Sequence, residues 1–206
     1  MEPDIRLYQH DLPDDLDLGE EVAIDTEAMG LNPHRDRLCL VQLSSGNGVC
    51  HLVQRPLTGQ KPAPNLTKLL NDPKVLKLFH FARFDVGLLQ HTFNVSCSPV
   101  YCTKIASKLC RTFLDRHGLK DLCRDLLGVE ISKTQQVSDW GRETLSDEQL
   151  AYAASDVLYL HRLKEKLDTL LKRENRDIIA QKCFDFLPTC TDLDLMGFND
   201  LSVFRH

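Results

Sequence analysis

Residues 38–53 read LCLVQLSSGNGVCHLV, two β-rich apolar runs (Leu38–Ser44 and Val49–Val53) separated by Gly46-Asn47-Gly48. Apolar β-rich runs joined by so tight and glycine-rich a turn specify an antiparallel hairpin. A third apolar run, Val22–Thr26 (VAIDT), is expected to lie beside it. The Pro/Gly-rich stretch RPLTGQKPAPN (55–65) then leads into a short helix ending at Asn71-Asp72-Pro73. Strand signals return at Val75–His80 and Pro99–Cys102, with apolar residues at helical spacing (Phe84, Leu88) across Phe81–Phe93 between them. Beyond Thr103 the pattern is helical: 103–112, 118–127 with Gly128 as its stop, 146–171 and 174–187. Ser146 and Gln149 form a capping box for the third of these, with Asp147 and Glu148 at its positive end. Meandering strands, then alternating strand and helix, then helices define an α/β fold: one mixed sheet flanked by helices, in a single domain over residues 1–206.

The remaining composition narrows the function. A chain of 206 residues with 42% apolar and 27% charged residues buries a full core, which excludes disorder and collagen. No apolar run approaches a membrane span, and MEPDIRLYQHDLPDDLDLG lacks a secretory h-region, so a cytoplasmic protein without membrane partners is expected. The net charge of −5 is the wrong sign for holding long nucleic acid by bulk electrostatics. Charge is uneven, however. Residues 1–27 hold ten acids against Arg6 alone, whereas residues 101–142 hold eight bases against five acids; together these could grip a small anion, though singly most read equally well as solvated helix faces. The eight cysteines include no C-x-x-C pair and lie mostly in apolar runs, so they are expected to be reduced, buried small hydrophobes. G-x-G-x-x-G and G-x-x-x-x-G-K-[ST] are both absent, which argues against dinucleotide cofactors and NTP hydrolysis. The tail, Pro188–His206, mixes acids with apolar residues and is expected to dock on its own domain or on a neighbouring subunit.

Carboxylates carry the chemistry. In Asp25-Thr26-Glu27 the period of two turns both acids to one face of a strand, where they repel unless a cation joins them. Hard oxygen ligands favour Mg²⁺ or Mn²⁺; read alone, the pair is more simply two exposed acids on an edge strand. Asp85, in FHFARFDVGLL, sits one turn into a helix, where an acid also offsets the dipole. Tyr152 and Asp156, in LAYAASDVLYL, are four apart and so share one helix face among alanines. A phenol there can orient a water or simply hydrogen-bond the acid.

Taken in order, D-x-E on the first strand, Asp after F-x-x-x-F, and Y-x-x-x-D on a late helix resemble the DEDD exonucleases, in the subclass with tyrosine before the last aspartate. LGVEISKTQQVSDWGRETLSDEQLAYAASDVLYL is similar to the third-motif region of ribonuclease D, and the likeness spans about residues 20–172. The chain after 172 is too short for the helical RNA-binding domains of ribonuclease D. AIDTEAMGLNPHRDRLCLVQLSSG and YCTKIASKL instead resemble the stand-alone nanoRNase C form. The resemblance implies a ribonuclease H-like fold and a 3′–5′ exoribonuclease with two divalent cations, about 3.5–4 Å apart, at the phosphate next to the 3′ end. It further implies that Asp25 bridges the ions, Glu27 and Asp156 complete the one beside the nucleophile, Asp85 serves the other, and Tyr152 positions the attacking water. Nucleoside 5′-monophosphates would be the products.

Few phosphate contacts cannot hold a long strand at physiological salt, so the charge points to short oligoribonucleotides, dinucleotides fitting best. Leu31, with Met29 as a second candidate, is the expected apolar wedge against the bases; packing under the hairpin is the other reading of Leu31. His80, at the end of the fourth strand, and Arg116, His117, Lys133 and Gln136 are further substrate-binding candidates, the last four as a cap on a 5′ phosphate. The resemblance also implies a homo-oligomer, a ring of eight. An exonuclease acting on longer RNA or on DNA, and a catalytically silent RNA-binding module, are the alternatives; the intact set of four acids and Tyr152 argues against the silent module.

Overall fold

The computed structural model describes residues 3–59, 61–131, 135 and 137–205. Its strands are β1 (Asp4–Gln9), β2 (Glu21–Ala28), β3 (Leu38–Ser44), β4 (Val49–Gln54), β5 (Leu76–Phe79) and β6 (Val100–Cys102), in the spatial order β1-β4-β3-β2-β5-β6. β3 runs antiparallel to both β2 and β4, while β1–β4, β2–β5 and β5–β6 are parallel, so the sheet is mixed as expected. The helices are α1 (Pro64–Asn71), α2 (Ala82–Phe93), α3 (Thr103–Cys110), α4 (Leu119–Leu122), α5 (Asp147–Val157), α6 (Leu160–Arg173) and α7 (Asp177–Leu195). A π-turn over Cys123–Leu127 extends α4 to Gly128, and a 3₁₀ turn, Asn199–Phe204, follows α7.

The hairpin forms where the sequence places it, and its turn is fixed from outside as well as within. Gly46 has φ +79°, and a β-carbon there would lie 2.8 Å from the ring of His161 on α6. His161 in turn donates Nε2–H to the Glu21 carbonyl at the start of β2 (3.0 Å). One residue thus ties the β3–β4 turn to the strand that carries Asp25 and Glu27. β2 lies between β3 and β5, and its Val22, Ala23 and Ile24 are fully buried. All eight cysteines are free thiols, seven of them buried.

Three features depart from the sequence reading. β1 pairs in parallel with β4 although its residues are mostly exposed; Ile5 and Tyr8 pack on the core and Tyr8 and Gln9 bond His51 and Gln54 of β4, but so short an apolar signal among polar residues does not announce a strand. The continuous helix expected over 146–171 is broken at Leu158-Tyr159, where Tyr159 takes φ −107° and ψ −6°. Apolar spacing runs unbroken through this point, so no local signal marks the bend. It lets α5 lie across β2, β3 and β4 while α6 packs on α3, β2 and β5. The last helix runs to Leu195, through Pro188, where 187 was the expected end. Proline removes one rung, but Thr191 Oγ1 donates to the Pro188 carbonyl (2.8 Å) and bonds Gln90 on α2, so packing carries the helix past the break. The tail accordingly docks on its own domain as far as Leu195.

Candidate active site

β2, α2 and α5 converge at one cleft. Asp25 and Glu27 come from β2, and the pleat points both to the face opposite Thr26. Asp156 and Tyr152 come from α5, whose start is locked by the capping box: Gln149 N–H donates to Ser146 Oγ and the Gln149 side chain accepts from Ser146 N–H. Gln149 Nε2 also donates to Ser138 Oγ (2.9 Å) and to the Asp139 carbonyl (3.1 Å), fixing the loop before the helix. Trp140 of that loop lies 6.0 Å from the Tyr152 ring, centroid to centroid.

Asp25, Glu27 and Asp156 each place a carboxylate oxygen within 4.8 Å of those of the other two. Their crowding shows in their acidity. Burial, and then the charges of Asp85, Asp156 and Glu27, hold Asp25 well above the usual carboxylate range. Burial, with Asp156 and Asp85, pushes Glu27 up to about 9. Asp85 stands beside the trio at the first turn of α2, buried and raised to about 7 by that burial, although Thr26 Oγ1 donates to its Oδ1 at 2.6 Å and partly offsets the rise. The register that sets Gln42 opposite Asp25 gives Asp25 Oδ2 a hydrogen bond from Gln42 Nε2 (3.3 Å). Burial raises Tyr152, as do Asp156, Glu27 and Asp25, so its hydroxyl keeps its proton at neutral pH. Three mutually repelling carboxylates, partly withdrawn from water and offering only oxygen, make a donor set that fits a hard divalent cation.

The cleft has a volume of about 1130 Å³, and Asp25, Glu27, Asp85, Tyr152 and Asp156 all line it. Leu31 stands on its wall 83% exposed, clear of the hairpin core, and His80 lines it with Nδ1 2.9 Å from Thr103 Oγ1. Met29 lies elsewhere: its thioether rests where Gly141 leaves room for it. Arg116 is exposed and His117 contacts Ser107 Oγ (2.8 Å); among the described residues neither lines the cleft, although Gly118 and Leu119 do. Lys133 and Gln136 lie outside the described residues.

Among the other lining residues, Lys104 and Lys120 belong to the basic stretch 101–142, but Phe81 has no signal in the sequence. Phe81 takes the left-handed conformation (φ 65°, ψ 41°), which turns its ring outward, 52% exposed, with Lys104 Nζ 3.9 Å above the ring centre. Phe81 and Lys104 thus present an aromatic surface and a cation together on the cleft wall. Only the backbone angle reveals it, because FHFARFD reads simply as apolar.

A 3′–5′ exonuclease family model matches residues 9–172. Ribonuclease D of Gluconacetobacter diazotrophicus is 37% identical over 155 residues, which are 75% of this chain and 39% of that protein, so the chain spans about two-fifths of the length of such relatives. The structure of Brucella melitensis NrnC bound to pGG superposes with a TM-score of 0.95 at 55% identity, covering 99% of each chain. That of Brucella melitensis NrnC with bound Mg²⁺ gives 0.93 at 54% identity, over 98% of this chain and 99% of that one. The matched region holds the D-x-E strand, Asp85 and the Tyr152–Asp156 helix, and the chain belongs to the 3′–5′ exonuclease family.

Proposed function

We propose that the chain is a metal-dependent 3′–5′ exoribonuclease that hydrolyses short oligoribonucleotides, best of all dinucleotides, to nucleoside 5′-monophosphates. The observation that carries this reading is the convergence of three carboxylates within 4.8 Å beside a protonated tyrosine, in an open cleft. Asp25, Glu27, Asp156 and Asp85 are the residues to hold two divalent cations, Mg²⁺ or Mn²⁺. Such ions supply a more acidic attacking water and stabilise charge on the leaving 3′ oxygen. Asp25, which senses the charges of Asp85, Asp156 and Glu27 alike, is the residue that would serve both ions. Thr26 and Gln42 orient the Asp85 and Asp25 carboxylates through their hydrogen bonds. Tyr152, a donor at working pH, orients the water and leaves its deprotonation to other groups. Leu31 and Phe81 offer apolar surface to bases, and Lys104 and Lys120 of the wall offer charge to phosphate. The likeness to a nuclease solved with pGG supports a dinucleotide substrate.

The same reading makes the protein a cytoplasmic homo-oligomer, an octameric ring. Free thiols fit a reducing compartment, and Ile178, Ile179, Phe186 and Phe204 leave apolar surface outward on the C-terminal segment. Turnover of labelled strands of two, three, seven and twenty nucleotides, as RNA and as DNA, with Mg²⁺, Mn²⁺ or chelator, tests the proposal. Fast metal-dependent cleavage of the RNA dimer is expected. Equal rates at every length refute the dinucleotide preference, and equal rates on DNA favour the broader exonuclease.

A further inference from the structure

The family match ends at residue 172, yet part of the cleft wall comes from beyond it: Thr191, Asp194 and Leu195 of α7, followed by Met196 and Gly197. This last turn is fastened to two different elements of the cleft. On one side Arg83 of α2, two residues before Asp85, grips Asp194 with Nε to Oδ2 and Nη2 to Oδ1, both 2.5 Å. Gln90 of the same helix bonds Thr191 and donates Nε2 to Asp192 Oδ1 (3.1 Å). On the other side His34, in the loop that carries Leu31, donates Nε2–H to the Leu195 carbonyl (3.0 Å). The end of α7 thereby joins α2 to the Leu31 loop.

Building on the nuclease reading above, we propose that Arg83 and Asp194 form a specificity-determining clasp, which holds the end of α7 as a wall of the cleft and confines the enzyme to short strands. Two effects act together. The fastened turn occupies space that a continuing strand would need. The fork of the Arg83 guanidinium, which matches a phosphate as well as it matches a carboxylate, is taken by Asp194, whose own charge repels a further phosphate. A dinucleotide presents one internal phosphodiester and at most a 5′ phosphate, so it has the least to lose by this arrangement. A longer strand meets the wall and the carboxylate.

The test is the ratio of kcat/KM on an RNA heptamer to that on an RNA dimer, with Mg²⁺. Asp194→Ala removes the tie and the repelling charge and leaves Arg83 without this carboxylate; the ratio is expected to rise at least about tenfold, a modest share of the cost of a like-charge contact. Arg83→Ala removes the tie together with the cation, and its ratio is expected to rise less. Asp194→Glu, which retains the pair, is expected to keep the wild-type ratio. A merely structural role would lower both rates together and leave the ratio still. If Asp194→Ala unfolds, Asp194→Asn replaces it with the same expected direction. A ratio within twofold of wild type in the folded variant overturns the clasp alone, whereas absence of any cleavage by the wild-type chain overturns the nuclease reading and the clasp with it.

Discussion

Replacing Glu27 by glutamine should stabilise the metal-free protein, and do so more as the pH rises. Glu27 has a folded pKa of about 9 against an ordinary 4.5. Between those values the folded chain binds a proton that the unfolded chain does not, so stability falls as pH rises through the window and the penalty is complete above it. At 1.36 kcal/mol per unit the penalty is about 2 kcal/mol at pH 6 and about 5 kcal/mol at pH 8. Glutamine does not titrate and escapes the penalty. The advantage of Glu27→Gln over wild type in chelator should therefore grow by about 3 kcal/mol from pH 6 to pH 8, or about 6–12 °C in Tm for a domain of this size. Comparing variant with wild type at each pH cancels the titration of groups that do not sense Glu27, while relief of Asp25, which Glu27 also raises, adds in the same direction. Saturating Mg²⁺ should shrink or reverse the advantage at pH 8, because a cation that binds only the folded carboxylates favours the wild type. Thermal and urea unfolding at the two pH values, with EDTA and with Mg²⁺, measures all of these quantities. An advantage in EDTA that is the same at pH 6 and pH 8 refutes the claim that crowding and burial raise Glu27.

Tyr152→Phe should lower kcat on an RNA dimer by about 10² while the melting temperature holds, since only a positioned hydroxyl is lost; steady-state kinetics at wild-type speed would remove Tyr152 from the mechanism. Asp156→Asn should abolish cleavage and leave the far-UV circular dichroism unchanged. Leu31→Ala removes an exposed side chain with little to contribute to folding, so any loss, about tenfold in kcat/KM, should appear in substrate binding; the bound is the transfer energy of one leucine. Gly46→Ala combines a left-handed backbone with a β-carbon 2.8 Å from His161 and should cost about 1–3 kcal/mol in urea unfolding.

What the sequence made legible follows from how local each signal is. The hairpin and the D-x-E strand are written in periods of two and in a glycine turn. The capping box at Ser146 marks the start of α5 to the residue. Tyr152 and Asp156 share a face by helix geometry alone, and the bend at Leu158-Tyr159 leaves both on the same segment, so misplacing it does not disturb the site. β1 escaped because Ile5, Leu7 and Tyr8 are a short apolar signal among polar residues on a mostly exposed edge strand. The outward turn of Phe81 depends on one backbone angle, and the reach of α7 into the cleft depends on tertiary bonds from Arg83, Gln90 and His34. Composition cannot encode either.

A cluster of repelling acids persists in this fold because the strand beneath it is over-determined. Val22, Ala23 and Ile24, immediately before Asp25, are fully buried, and β2 pairs on both edges, with β3 and with β5. Slipping β2 by one residue would relieve Asp25 and Glu27 by turning them to the other face, but it would also turn Val22 and Ile24 out of theirs. Burying two such side chains is worth about 3–6 kcal/mol, comparable to the penalty that Glu27 alone carries at pH 8. The hydrogen bonds of the slipped strand would be lost in addition: Thr26 to Asp85, Gln42 to Asp25, and His161 to the Glu21 carbonyl. Register is therefore the property that keeps the acids crowded, and what relief remains comes from a bound proton or a bound cation. The site's appetite for metal follows from packing that has nothing to do with metal, which is why weakening β2 from below, at Ile24 for instance, should loosen Mg²⁺ binding before it unfolds the chain.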